Sequence, residues 1–108
     1  MLVLPIKKKW FDMIKSGEKK EEYREIKPYW TKRLFDNRDY CKYGLVSITE
    51  EIDREVLFRN GYGNNKPTIK CKVHISISSG KKEWGAELNK LYYVLKILSV
   101  EKVGDDND

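Results

Sequence analysis

The stretch Gly17-Glu18-Lys19-Lys20-Glu21-Glu22-Tyr23-Arg24 decides how the rest of the chain is read. By composition, residues 19–26 favour a helix, since lysine, glutamate and arginine all rank high on helix scales. They carry no apolar stripe at helical spacing, however, and they follow a glycine placed to stop the preceding helix. The pattern therefore predicts a strand. In a strand, Glu22 and Arg24 share one face with Lys20 and Ile26, while Glu21, Tyr23 and Glu25 take the other. Lys19 has the wrong parity for Glu22. It joins that residue only if it lies in the turn after Gly17, before regular alternation begins, or at a bulge.

On the N-terminal side, Ile6, Trp10, Met13 and Ile14 fall at i, i+4, i+7 and i+8, which predicts a helix over 7–16 with Gly17 just beyond its end. Leu2-Val3-Leu4-Pro5-Ile6 before it reads as a short strand. On the C-terminal side, Pro28 sits in the first turn of a second helix whose Trp30 and Leu34 give it a buried side, ending near Phe35. A polar connection over 36–40 leads to strands at 45–49 and 56–59, which the acidic stretch Glu50-Glu51-Ile52-Asp53 separates. Residues 61–67 are turn-rich. Ile69, Cys71, Val73, Ile75 and Ile77 then alternate with polar residues and predict a strand with one buried face. Residues 78–90 read as a loop, 92–98 as a closing strand apolar on both faces, and 105–108 as a frayed acidic tail. Strands without βαβ alternation, preceded by two short helices, predict one α+β domain over 1–104. Its five or six strands curl into a small barrel.

A chain of 108 residues has room for one core. The two cysteines, Cys41 and Cys71, lack CxxC spacing and only one histidine is present, so no metal site or disulfide framework is signalled. No P-loop or dinucleotide-binding glycine pattern appears, and no cofactor is expected. No apolar run approaches membrane-spanning length and the first residues do not read as a secretory signal, so a cytoplasmic protein is expected. Net charge is +5, and residues 1–33 hold ten Lys/Arg against five Asp/Glu while the remainder is balanced. Positive charge gathered in the first third suggests an anionic partner; a merely soluble face accounts for charge alone equally well.

The pattern G-x-K-x-x-E-x-R over 17–24, placed after a strand, a helix and a glycine stop, resembles the signature of the ASCH family. Leu4-Pro5-Ile6, Trp10-Phe11, Lys27-Pro28-Tyr29-Trp30, Arg33-Leu34, Phe58-Arg59-Asn60-Gly61-Tyr62 and Glu83-Trp84-Gly85-Ala86 extend the resemblance to small bacterial and phage members. The resemblance implies a PUA-like barrel and nucleic-acid or nucleoside chemistry. In the family's amidohydrolase members the lysine works with a threonine three residues later; that position here is Glu22, which removes the expected nucleophile.

Read from the residues, Glu22 and Arg24 form a clamp whose arginine offers its remaining donors to a phosphate or carbonyl. An ordinary surface ion pair is the plainer alternative. Lys7, Lys8 and Lys9 oppose the dipole of the helix they open, so an anion there would complete the arrangement; three solvated lysines are the alternative. Tyr29, Trp30, Tyr62 and Trp84 are candidates for stacking a base, with burial in the core as the competing fate of the tryptophans. His74 reads as a lone exposed histidine. The expected ligand-binding set is Lys7, Lys9, Lys19, Glu22, Arg24, Arg59, Tyr62 and Trp84, and the expected partner is RNA or a modified nucleoside or nucleotide, with no membrane. A hydrolase acting on N4-acylated cytidine-type nucleosides, or a ribonuclease, would instead use Lys19 with Glu22. A protein partner held on the same barrel is a third reading.

Overall fold

Alternating apolar residues build the sheet, in which every second side chain of β1 (Leu2–Ile6) and most of those in the middle of β4 (Thr68–Ser79) are buried. The computed structural model describes residues 1–35, 51–63 and 65–102. Within them, β1, β2 (Glu21–Arg24), β3 (Ile52–Asn60), β4 and β5 (Leu91–Lys102) form one mixed sheet in the order β1-β3-β4-β5-β2. β1 runs parallel to β3, and the remaining pairs are antiparallel. A register shift between Lys72 and Val73 leaves one extra residue, Leu98, on β5. Such a bulge sharpens the local twist. The sheet curls into a half-barrel around Leu4, Val56, Phe58, Val73, Ile75, Tyr93 and Leu95, all buried. The architecture is thus a small curled α+β sheet with two helices.

Helix α1 (Lys8–Ser16) presses Phe11 and Ile14 into this core and ends at Gly17, whose left-handed φ of 89° lets its N–H reach the Ile14 carbonyl. Helix α2 (Pro28–Leu34) begins with proline at its first turn and buries Thr31 and Leu34. Its last carbonyls, on Arg33 and Leu34, accept hydrogen bonds from the Arg54 guanidinium of β3 at 3.3 and 2.7 Å. Among the described residues no helix is long and apolar enough to cross a membrane.

Several expected boundaries change. β3 starts at Ile52, so the acidic stretch does not end before the strand: Asp53 and Glu55 point outward, where charge is tolerated, while Val56 and Phe58 point in. Lys82–Trp84, expected as loop, forms a short 3-10 turn, and both β4 and β5 run past their predicted ends. The strand expected at 45–49, the connection at 36–40, Cys41 and the tail at 105–108 lie outside the described residues. Cys71 is buried and its thiol is pushed up to about 12 by desolvation, which leaves it unreactive.

His74 is not the lone histidine expected. Its Nδ1 lies 2.6 Å from Asp53 Oδ1 and its Nε2 lies 2.7 Å from Glu51 Oε1. Lys96 stands in register on the opposite neighbouring strand. Hydrogen bonds to the two carboxylates, Asp53 foremost, raise the imidazole pKa above 6.5. A raised folded-state pKa adds stability that is fully present below the unfolded value and is lost as pH climbs through the folded one. Urea midpoints of the native chain and His74→Gln should therefore differ most below pH 6.5 and converge as pH rises above it. A difference independent of pH would show that the imidazolium charge contributes nothing.

Candidate functional site

The cap of α1 resolves the parity of Lys19. After Gly17 turns left-handed, the Lys19 N–H donates to the Met13 carbonyl at 2.9 Å, which holds the residue in the turn just before β2. Its side chain then runs inward instead of following the strand's alternation. β2 pairs with β5 so that Glu22 stands opposite Leu95 and Arg24 opposite Tyr93, both core residues. Cross-strand partners share a face. Glu22 and Arg24 are thereby aimed at the interior edge of the half-barrel.

The three side chains meet. Lys19 Nζ lies 3.2 Å from Glu22 Oε1, and the other carboxylate oxygen of Glu22 accepts from Arg24 Nη1. Lys19 is 1% exposed and Glu22 6% exposed, so this is a buried ionic chain and not the surface pair that β2 alone would suggest. Lys19 Nζ also donates to the Trp84 carbonyl at 2.8 Å and lies 4.7 Å from the Trp10 ring centre and 5.0 Å from that of Tyr23. Gly85, at a φ of 103°, closes the turn that delivers this carbonyl; a Cβ there would stand 3.2 Å from the Trp10 ring. Burial lowers the Lys19 pKa from its usual value, and Glu22 opposes that shift. Arg24 continues the chain, donating from Nη1 to the Tyr23 carbonyl at 2.8 Å and from Nη2 to the Pro5 carbonyl of β1 at 3.3 Å. Its guanidinium lies 5.0 Å from the Trp30 ring centre.

Two hollows share Trp10, Glu22, Arg24 and Trp30 among their lining residues. The larger, of about 630 Å³, is lined by Lys7, Arg24, Arg33 and Arg59, by Glu22 as its one acid, and by the rings of Trp10, Tyr29, Trp30 and Tyr62. The smaller, of about 290 Å³, lies between Trp10, Trp30, Trp84, Tyr23 and Tyr92, with Glu22, Arg24 and Glu25 at its edge. Of the residues expected at a site, Lys7, Glu22, Arg24, Arg59 and Tyr62 thus line the first hollow, and Trp84 joins Glu22 and Arg24 at the second. Lys19 lies behind Glu22 and lines neither. Lys9 also lines neither, and its ammonium rests over the Trp10 ring at 4.7 Å.

The lysine run divides in the same way. Lys8 pairs with Asp12 one turn on at 2.6 Å, while no ion pair to Lys7 is found among the described residues. Arg33 and Trp10 were not expected at the site. Arg33 donates to the Val3 carbonyl at 3.1 Å and lies 5.7 and 5.9 Å from the Tyr29 and Trp30 ring centres. The sequence signal was available: Tyr29, Trp30 and Arg33 stand at i, i+1 and i+4, the spacing at which an arginine reaches aromatic rings on one helical face. The Nε atoms of Arg33 and Arg59 are buried without a hydrogen-bond partner among the described residues. Among those residues no three His, Cys, Asp or Glu side chains gather as a metal site requires.

No protein-family model matches the chain, and no curated protein or solved structure matches it significantly.

Removing one member of a buried ion pair leaves the other charge stranded and costs about 3–5 kcal/mol, whereas replacing both by apolar residues is close to neutral. Glu22→Ala should lower the free energy of unfolding by roughly that amount in urea titrations. The double variant Lys19→Met, Glu22→Leu should recover a substantial part of it, and additive losses would refute the coupling.

Proposed function

We propose that this chain is an ASCH-type, PUA-like domain that binds single-stranded RNA or a nucleotide in the groove formed by the two hollows. The observation that carries this reading is the composition of the larger hollow: four cations face one carboxylate, and that carboxylate is already paired with Lys19 and Arg24. The surplus charge suits phosphate, and arginine provides planar forks for phosphate oxygens. Aromatic rings along the same walls suit unstacked bases, which a single strand presents and a duplex conceals.

A hydrolase of the kind the sequence resembles would need the Lys19 amine at the substrate. Here that ammonium is engaged by the Glu22 carboxylate, the Trp84 carbonyl and two aromatic faces, and it borders neither hollow. Such a lysine positions Glu22 and Arg24; it does not reach a ligand. Binding is therefore favoured over turnover.

Fluorescence anisotropy with a labelled single-stranded RNA across a salt series tests the reading. Affinity should fall linearly on logarithmic axes as salt rises, and Arg59→Gln and Lys7→Gln should each reduce the magnitude of the slope by about 0.7. Tyr62→Ala should weaken binding without altering the slope. Absence of binding at low salt, or affinity indifferent to salt, would overturn the proposal. Hydrolysis of an N4-acylcytidine that disappears in Lys19→Ala would replace it with the enzymatic alternative.

A further inference from the structure

The two hollows differ in chemistry, although they share Trp10, Glu22, Arg24 and Trp30. The smaller is walled by Trp10, Tyr23, Trp30, Trp84 and Tyr92, with Glu22 and Glu25 beside them and Arg24 as its one cation. The larger holds Arg33 and Arg59, each with a buried Nε that has no partner among the described residues. These Nε atoms are themselves closed off from the hollow, but the guanidinium groups that carry them line it and have no carboxylate partner among the described residues. Phosphate oxygens are suitable acceptors for arginine N–H groups. Five rings around the smaller hollow, by contrast, match the flat apolar faces of one base.

We infer that the groove is a bipartite nucleotide site, in which the smaller hollow takes the base and the arginine-lined larger hollow takes the phosphate attached to the same nucleoside. The inference rests on the nucleic-acid reading of the groove and adds to it a division of labour. Arg24, fixed by Glu22 and lying 5.0 Å from the Trp30 ring, sits where sugar joins base to phosphate. Recognition on these terms depends strongly on the phosphate and weakly on the base, because every base offers a π-face whereas only a nucleotide brings the anion. The phosphate comes either from a free mononucleotide or from an RNA backbone, and the chemistry in the hollow is the same.

The test uses adenosine, adenosine 5′-monophosphate and a single-stranded penta-adenylate, with binding to the full chain followed by calorimetry and by the ³¹P resonance of the mononucleotide. Adenosine monophosphate should bind roughly tenfold or more tightly than adenosine, as charge-assisted contacts from two arginines imply. Arg59→Gln should shrink that ratio toward one and leave adenosine affinity unchanged, and inorganic phosphate should compete with the monophosphate but not with adenosine. Trp84→Leu should weaken nucleoside and nucleotide by the same factor. Thermal melts establish that each variant is folded, and the ³¹P shift reports the arginine contact independently of affinity. Binding of penta-adenylate alone, with the native slope and its Arg59→Gln change intact, would assign the phosphate to an RNA backbone. Equal affinity for adenosine and its monophosphate, or loss of adenosine binding in Arg59→Gln, would overturn the bipartite site while leaving salt-dependent RNA binding standing. Failure of all three ligands would remove both.

Discussion

The Glu22 carboxylate, buried between the Lys19 ammonium and the Arg24 guanidinium, is the constraint on which the half-barrel and its groove depend. Among the described residues β1 and β2 are the two edges of the sheet, and no ladder joins them. An edge strand exposes unpaired carbonyls that must find donors. Here the Pro5 carbonyl is met by Arg24 and the Val3 carbonyl by Arg33. Through Glu22, Lys19 and the Trp84 carbonyl, the same chain of contacts ties β1 to β2, to the cap of α1 and to the turn after β4. Desolvating these charges is unfavourable in itself, and their mutual pairing offsets it only while all members stay in place. What they supply is geometry at the seam rather than a large stability gain.

The groove is a consequence of that geometry. Because side chains, not backbone, bridge the two edges, the seam stays wide enough to hold two hollows. Trp10 stands at both, with Lys9 and Lys19 each 4.7 Å from its ring centre, so one indole is within reach of an exposed cation and a buried one. Aromatic faces attract cations more strongly where water is scarce. The rings of Trp10 and Trp30 therefore do two things at once: they steady the cations of the seam and they present apolar wall to whatever enters.

Much of this was legible in the chain. The alternation from Ile69 to Ile77 gave β4, the Gly17 stop gave the end of α1, and the lack of an apolar stripe after it made residues 21–24 a strand in spite of their helix-favouring composition. Even the parity conflict of Lys19 pointed to its place in the turn. What could not be read depended on contacts distant in sequence. The Ile52–Glu55 part of β3 looks like an acidic separator until β4 pairs with it and Asp53 finds His74. The burial of Glu22 follows from Leu95, seventy-three residues on, and Trp84 contributes to Lys19 through its carbonyl, a group that sequence does not distinguish. For Arg33 the spacing to Tyr29 and Trp30 was a local signal, but its hydrogen bond to the Val3 carbonyl, thirty residues back, was not.

The cations of the seam fall into two classes by their partners. Lys19 and Arg24 have committed charges, each matched by Glu22 and by backbone carbonyls, so their hydrogen bonds are directed at the protein itself. Lys7, Arg33 and Arg59 carry charge that no carboxylate balances among the described residues, and two of them keep buried donors idle. A fold gains nothing from leaving guanidinium donors dry and unpaired, since each would be better hydrated at the surface. The guanidinium groups that carry these atoms line the larger hollow, so their net charge faces that space. The committed pair then serves as the rigid frame that keeps the uncommitted ones aimed at a common space. Paired and unbalanced cations thus stand side by side along one seam.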